Sequence, residues 1–262
     1  MEQKIIIMLL SCKKNTHKVD KIKKSWLIKS GIPYVILIGN PTQDSDYIYD
    51  DSTKILQVKS PDDYANLNLK VYLGIKSIKK EFNPDGIFKI DDDVLIRNNK
   101  LTEFINNNKS NYDGDVAKNV GYWSDYHIGK CQITEKIFVP KDVKYCRGPI
   151  YYISKKSINI ICESMDPKQH FYEDTLMGMH LNKNNIYPVD RSYFLTDYLD
   201  VFLKNKSIIA FHDIDNNYDI LEVSINNNIN NNPKLNLGLI IIYILIIIVL
   251  FLVLLLLKSM SV

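Results

Sequence analysis

Residues 237–257 run for 21 positions without a single charge, with only Gly238 and Tyr243 interrupting a succession of Ile, Leu, Val and Phe. As a helix rising 1.5 Å per residue, such a run crosses a hydrocarbon core of about 30 Å. Each Leu, Ile, Val or Phe favours insertion by about 0.3–0.6 kcal/mol at mid-bilayer. The run has no polar face, which argues against a helix half-buried on a globular core. The pattern predicts one C-terminal transmembrane helix, and it divides the rest of the chain. Residues 224–236, Asn-rich and carrying Pro233, read as a flexible linker. Residues 1–223 are left as a globular head and 258–262 as a short tail.

Composition limits what the head can be. The chain of 262 residues is 46% hydrophobic and 24% charged, which suits a packed core and excludes disordered or collagenous classes. With 33 Lys+Arg against 30 Asp+Glu the net charge is +3, without a basic stripe, so nucleic acid is not an expected partner. The cysteines at 12, 131, 146 and 162 form no C-x-x-C pair, which argues against a zinc ribbon or a thioredoxin-like site and leaves disulfides open. The apolar run 5–10 is too short to span a bilayer and lacks a cleavage site after it, so it reads as a buried strand. The expected topology is single-pass with a C-terminal anchor and a cytosolic head. A lumenal head stays open, because Lys234 and Lys258 flank the span almost symmetrically. Only a lumenal head would bring the sequons Asn108-Lys109-Ser110 and Asn205-Lys206-Ser207 into use.

Within the head, apolar runs bounded by turn signals alternate with helical patterns: 5–10, a Lys-rich stretch to Trp26, then 34–38 closed by Gly39-Asn40-Pro41. This is the rhythm of an α/β fold. Leu67, Val71, Ile75 and Ile78 recur at three- and four-residue spacing and predict an amphipathic helix over 62–80, capped by Asp62 or Ser60. Residues 86–90 form a short buried strand running directly into Asp91-Asp92-Asp93, at the strand end where open α/β sheets bind ligands. The stretch 114–144 shows no readable period.

Three adjacent carboxylates repel one another unless a cation or hydrogen-bond donors compensate. Alternate residues of an extended chain point to the same side, so Asp91 and Asp93 would face one ligand while Asp92 turns away. Oxygen ligands of this kind suit Mg²⁺ or Mn²⁺, especially with substrate phosphates completing the shell. Taken alone, the triplet fits a solvated acidic turn equally well.

Four segments narrow the choice. They are Ile22-Lys23-Lys24-Ser25-Trp26; Ile55-Leu56-Gln57-Val58 with Asp63-Tyr64-Ala65-Asn66-Leu67-Asn68-Leu69-Lys70; Phe88-Lys89-Ile90-Asp91-Asp92-Asp93-Val94; and Tyr145-Cys146-Arg147-Gly148-Pro149 through Ser154 with Glu173-Asp174-Thr175-Leu176-Met177-Gly178. In order and spacing over most of residues 4–215, the set resembles glycosyltransferase family 31, the group of the β-1,3-galactosyltransferases, the core 1 galactosyltransferase and Fringe. The resemblance implies a GT-A type nucleotide-sugar-binding domain with a mixed, mostly parallel sheet. It also implies transfer of a hexose or N-acetylhexosamine, with inversion, from a UDP-sugar to a hydroxyl of a glycan or glycoprotein, in β-1,3 linkage.

Residue by residue, the resemblance makes Asp93 the direct ligand of Mn²⁺ or Mg²⁺, with Asp91 beside it. Asp91 and Asp92 would contact metal-bound water, ribose or donor-sugar hydroxyls, and His212 in Ala210-Phe211-His212-Asp213 would reach the metal from the end of the domain. Asp174 is the expected general base, since inversion needs a carboxylate within hydrogen-bond reach of the attacking hydroxyl. Gly148 would let the donor approach closely, and Lys23 would face a phosphate. Glu173, Arg147 and Trp123, the last with Tyr122 and Tyr126, are the expected acceptor contacts. The family's familiar members carry an N-terminal anchor, so compartment and acceptor do not carry over. The competing reading is a catalytically inactive, membrane-anchored sugar-binding or scaffold protein of the same fold. A metal-dependent phosphotransferase or hydrolase is disfavoured, since no P-loop accompanies the triplet.

Overall fold

The computed structural model describes residues 4–117 and 120–212. The linker at 224–236 and the apolar run at 237–257 lie outside them. Among the described residues no helix is long and apolar enough to cross a membrane. The chain runs β1 (Ile5–Leu10), α1 (Thr16–Ile22), β2 (Tyr34–Gly39), β3 (Tyr47–Asp50), β4 (Ile55–Val58), α2 (Leu67–Phe82), β5 (Gly86–Asp91), β6 (Val94–Ile96) and α3 (Asn98–Asn107). It continues through β7 (Tyr112–Val116), β8 (Tyr122–Ser124), β9 (Ile137–Val139), β10 (Cys146–Ser154), α4 (Lys155–Ser164), α5 (Glu173–Lys183), β11 (Val189–Asp190), β12 (Leu195–Thr196), α6 (Leu199–Lys204) and β13 (Ala210–His212).

Eight strands form one sheet in the order β11-β7-β10-β5-β1-β2-β4-β3. The pairs β1–β2, β1–β5, β2–β4 and β7–β11 are parallel; β10 runs antiparallel to both β5 and β7, and β3 closes the far edge antiparallel to β4. The sheet is thus mixed, with parallel pairs ahead by four to three. All six residues of β1 are buried, as expected of an Ile-rich central strand covered on both faces. On one face α2, α4 and α5 bring Val71, Ile75, Ile78, Ile158, Ile161, Leu176 and Met177 against Ile6, Met8, Ile87 and Ile153. At Gly74 a Cβ would lie 2.5 Å from Leu37 Cδ2, so the missing side chain is what lets α2 sit this close to the sheet. On the other face Phe88 meets Phe104, Tyr152 and Phe194, and buried Trp26 donates Nε1–H to the Val94 carbonyl at 3.0 Å.

Two local expectations are corrected. Helix α2 begins at Leu67 after a 3₁₀ turn over Tyr64–Asn66, and its cap is Asp63, which accepts from the Asn66 N–H at 3.0 Å. Asp62 turns back over the strand ends instead, accepting from Lys13 N (2.7 Å), Gly39 N (2.8 Å) and Lys70 Nζ (2.9 Å). The cause is electrostatic: Lys70 is buried, and a buried ammonium needs a counter-charge. Within 114–144 lies a two-stranded ribbon, β8 paired with β9. Fully buried His127 holds its loop through the Tyr172 hydroxyl (2.7 Å) and the Glu135 carbonyl (2.9 Å). All four cysteines are free thiols.

Candidate active site

Strand β5 is buried up to Ile90, and at its end Asp92 and Asp93 form the two-residue turn into β6. Strand alternation then sorts the three acids. Asp92, 8% exposed, faces the segment after β1 and accepts from Ser11 Oγ at 2.6 Å and Asn15 Nδ2 at 3.0 Å. Asp91 stands on the opposite side, its Oδ1 2.5 Å from Lys89 Nζ. Burial raises its pKa to about 6 against the pull of Lys89, and the Asp93 charge adds to the rise. Asp93 points at β13, which pairs antiparallel with β6 so that His212 lies opposite Val94. His212 Nε2 is 3.6 Å from Asp93 Oδ2, while the buried Asp93 Oδ1 has no hydrogen-bond partner. Burial alone would raise Asp93 and lower His212. The attraction between them wins in both, holding Asp93 below its ordinary range and carrying His212 up to about 9 with the help of Asp197.

This corner fits a divalent cation. His212 Nδ1 is 2.9 Å from Asp197 Oδ1, and a ring nitrogen held by a carboxylate in this way leaves the other nitrogen as ligand. Among the described residues no group of three or more His, Cys, Asp or Glu is gathered to hold a metal ion by itself. Two protein ligands with an open remainder suit a cation whose shell is completed by substrate phosphates and water. An oxygen–imidazole pair is compatible with Mn²⁺. Asp91, expected on the same ligand as Asp93, has its Oδ1 taken by Lys89.

The second acidic pair opens α5. Asp174 Oδ1 accepts from Thr175 N at 2.7 Å, and the nearby Gly148 amide favours the ionised carboxylate. A Cβ placed on Gly148 would sit 3.6 Å from Asp174 Oδ2, an ordinary contact, so Gly148 borders the carboxylate. Burial raises Asp174 above the usual aspartate range despite these amides and Lys89. Glu173 does not match its expected place among acceptor contacts. It is 5% exposed, with Oε1 accepting from the Tyr151 hydroxyl and Oε2 3.8 Å from Lys89 Nζ. The first helical turn sends the two neighbours in different directions, and Glu173 goes inward toward the only buried ammonium of β5. Burial pushes it up to about 7.

Lys89 joins the two acidic sites. It is 1% exposed, bound to Asp91 on one side and donating to the Gly148 carbonyl at 2.5 Å on the other. The charges of Asp91 and Glu173 keep it protonated against its burial. Sequence reading gave it no role, although a lysine inside the strand Gly-Ile-Phe-Lys-Ile-Asp was a visible signal.

The remaining expected residues fall out unevenly. Arg147 is half-buried and engaged at both ends, with Asp115 at 2.9 Å and Asp197 at 2.5 Å, so its charge serves the protein and not an acceptor. From the first helix it is Lys18 whose charge lowers Asp92 and Asp93, five residues before the expected Lys23. Trp123 stands 65% exposed on β8 beside Phe138, with Tyr122 and Tyr126 also exposed. Tyr122 reaches Tyr145, which feels the Asp174 charge.

The sequence profile of the family described as Galactosyltransferase matches residues 18–192, which take in the acidic turn, Lys89, Gly148 and both acids of α5. The chain is 33% identical over 146 residues to the beta-1,3-galactosyltransferase bre-2 of Caenorhabditis elegans, an alignment covering 48% of this chain and 40% of that protein. It thus spans less than half the length of this curated relative. Among solved structures it is similar to a glycosyltransferase involved in the glycosylation of the major capsid of PBCV-1, at 14% identity and a TM-score of 0.47, over 79% of this chain and 92% of that one. With the family profile matched over more than half of its length, the chain belongs to the galactosyltransferase family.

Proposed function

We propose that this chain is a metal-dependent, inverting glycosyltransferase of GT-A type that moves a hexose or N-acetylhexosamine from a UDP-sugar to a hydroxyl of a glycan or glycoprotein, in β-1,3 linkage. The observation that carries this reading is the arrangement around Lys89, which ties the acidic turn to Gly148, the strand residue beside Asp174. One side of the site thereby offers the half-satisfied pair Asp93 and His212 and the other a carboxylate raised by burial.

Asp93 and His212 would hold Mn²⁺ or Mg²⁺, which supplies Lewis-acid neutralisation of the departing diphosphate. Lys18 adds positive charge on the phosphate side, and Asp92 pins the turn to Ser11 and Asn15. Asp174 accepts the proton of the acceptor hydroxyl as that oxygen attacks the anomeric carbon and the UDP bond breaks on the opposite face. Burial raises its pKa and so makes it a stronger base than a solvated aspartate. Trp123 offers an apolar face to an acceptor sugar. Residues 237–257 hold the enzyme to a membrane as a single-pass C-terminal anchor with the head in the cytosol, which sedimentation after carbonate extraction and protease access to sealed vesicles check.

The test is UDP release from a panel of UDP-sugars with Mn²⁺ or with EDTA, with acceptors offered separately. Release from one donor that EDTA and Asp93→Ala both abolish supports the reading. A folded chain that neither binds nor turns over any donor leaves a sugar-binding or scaffold protein in its place.

A further inference from the structure

We infer that Asp197 is the positioning residue of the metal corner, and that Arg147 holds Asp197 in place for that purpose; this rests on the reading of Asp93 and His212 as metal ligands. The observation is a continuous chain of charged contacts whose first three members, Asp115, Arg147 and Asp197, no other part of the proposed chemistry uses. Asp115 at the end of β7 receives Arg147 Nη1 at 2.9 Å, and Arg147 Nη2 reaches Asp197 Oδ2 at 2.5 Å. The other oxygen of Asp197 meets His212 Nδ1 at 2.9 Å, and His212 Nε2 faces Asp93 at 3.6 Å. Five segments distant in sequence are thus joined end to end, from β7 through β10 and the turn before α6 to β13 and the acidic turn.

The chemistry of the chain gives it a direction. An imidazole has two nitrogens, and the carboxylate that accepts from Nδ1–H leaves the Nε2 lone pair for the cation. Asp197 does this with Oδ1 and has only Oδ2 left for its own restraint, which Arg147 fills with one end of its fork. The other end of the fork is fixed on Asp115, so the guanidinium is braced at both ends. Arg147 is also the neighbour of Gly148, which lies beside Asp174, so that one short stretch of β10 braces the metal corner and borders the base. An arginine reserved for an acceptor would have an open end. This one has carboxylates on both.

The experiment uses the full chain in detergent and Mn²⁺ alone as probe, so that no donor or acceptor is needed. Mn²⁺ binding is measured by electron paramagnetic resonance titration, and electron spin-echo modulation reads the ¹⁴N coupling of an imidazole bound directly to the ion. Wild type is expected to show the coupling and His212→Ala to lose it. Asp197→Ala should bind Mn²⁺ about 10–100-fold more weakly with the coupling reduced, Arg147→Met should show a smaller loss of the same kind, and Asp197→Glu should restore part of it. Melting temperature without metal reports folding, and Asp197→Asn, of the same shape, serves if the alanine variant does not fold. Mn²⁺ affinity and coupling in folded Asp197→Ala or Asp197→Asn equal to wild type, with His212→Ala still defective, overturns the positioning role and leaves the metal reading standing. Wild type that binds no Mn²⁺ overturns both.

Discussion

The two acidic sites of this molecule are assembled from the same residue types and end in opposite conditions. At Asp93 the side chain is partly buried, one buried carboxylate oxygen has no hydrogen-bond partner, and a histidine stands at 3.6 Å. At Glu173 and Asp174 the charges are closed in by Lys89, Tyr151, Thr175 and Gly148. The first is an incomplete shell that an incoming cation would complete. In the second, Glu173 is satisfied internally, and its neighbour Asp174, raised by burial, accepts from the Thr175 N–H. What distinguishes a ligand site from a base here is which partners the fold has already supplied.

Five substitutions probe the sites, beginning with the largest effect. Asp93→Ala removes a direct ligand and should lower metal-dependent turnover by about 10³-fold or more, since a Lewis acid contributes several kcal/mol. Asp174→Ala should lower turnover by about 10²–10⁴-fold, the usual worth of a general base. In wild type the acid limb of kcat/KM should lie above the ordinary aspartate range, falling as Asp174 takes up its proton, and a limb at or below that range contradicts the assignment. Lys89→Met strands Asp91 and Glu173 without their buried counter-charge and should cost about 3–5 kcal/mol in urea unfolding, whereas an effect below about 1 kcal/mol would mean that Lys89 does not link the sites.

Glu173→Gln tests the closed site by pH. Folded Glu173 holds its proton up to about 7, above the ordinary value of 4.5 taken for the unfolded chain. Its contribution to stability is therefore full below about 4.5 and lost as pH rises through about 7. Melting profiles in EDTA should decline over that window in wild type and less steeply in Glu173→Gln; superimposable profiles refute the burial argument. The smallest effect is expected at Trp123→Ala, about 1 kcal/mol or roughly fivefold in acceptor KM with kcat little changed.

Much of this was legible in the sequence because it is local. The runs Ile5–Leu10 and Gly86–Asp91 could be read as strands from their Ile, Leu, Met and Phe residues, and the acids close the second. Helix α2 could be read from Leu67, Val71, Ile75 and Ile78, and α5 from the pair of acids that open it. What escaped depends on distant partners. Asp62 was read as a cap because nothing local reveals that Lys70 is buried beneath it. Glu173 and Asp174 are adjacent in sequence, and the position of Lys89 draws Glu173 inward while Asp174 lies beside Gly148. Arg147, Asp115 and Asp197 lie on three separate segments, so their chain exists only in the fold. The ribbon β8–β9 is held by His127 and Tyr172, a tertiary contact without a periodic signal.

The most direct test of the division between the two sites is calorimetric titration of the UDP-sugar, without acceptor and with Mn²⁺, into wild type, Asp93→Ala and Asp174→Ala. Donor affinity in Asp174→Ala close to wild type and lost in Asp93→Ala is the predicted result. Donor binding by Asp93→Ala as tight as wild type, or its loss in Asp174→Ala, would contradict it.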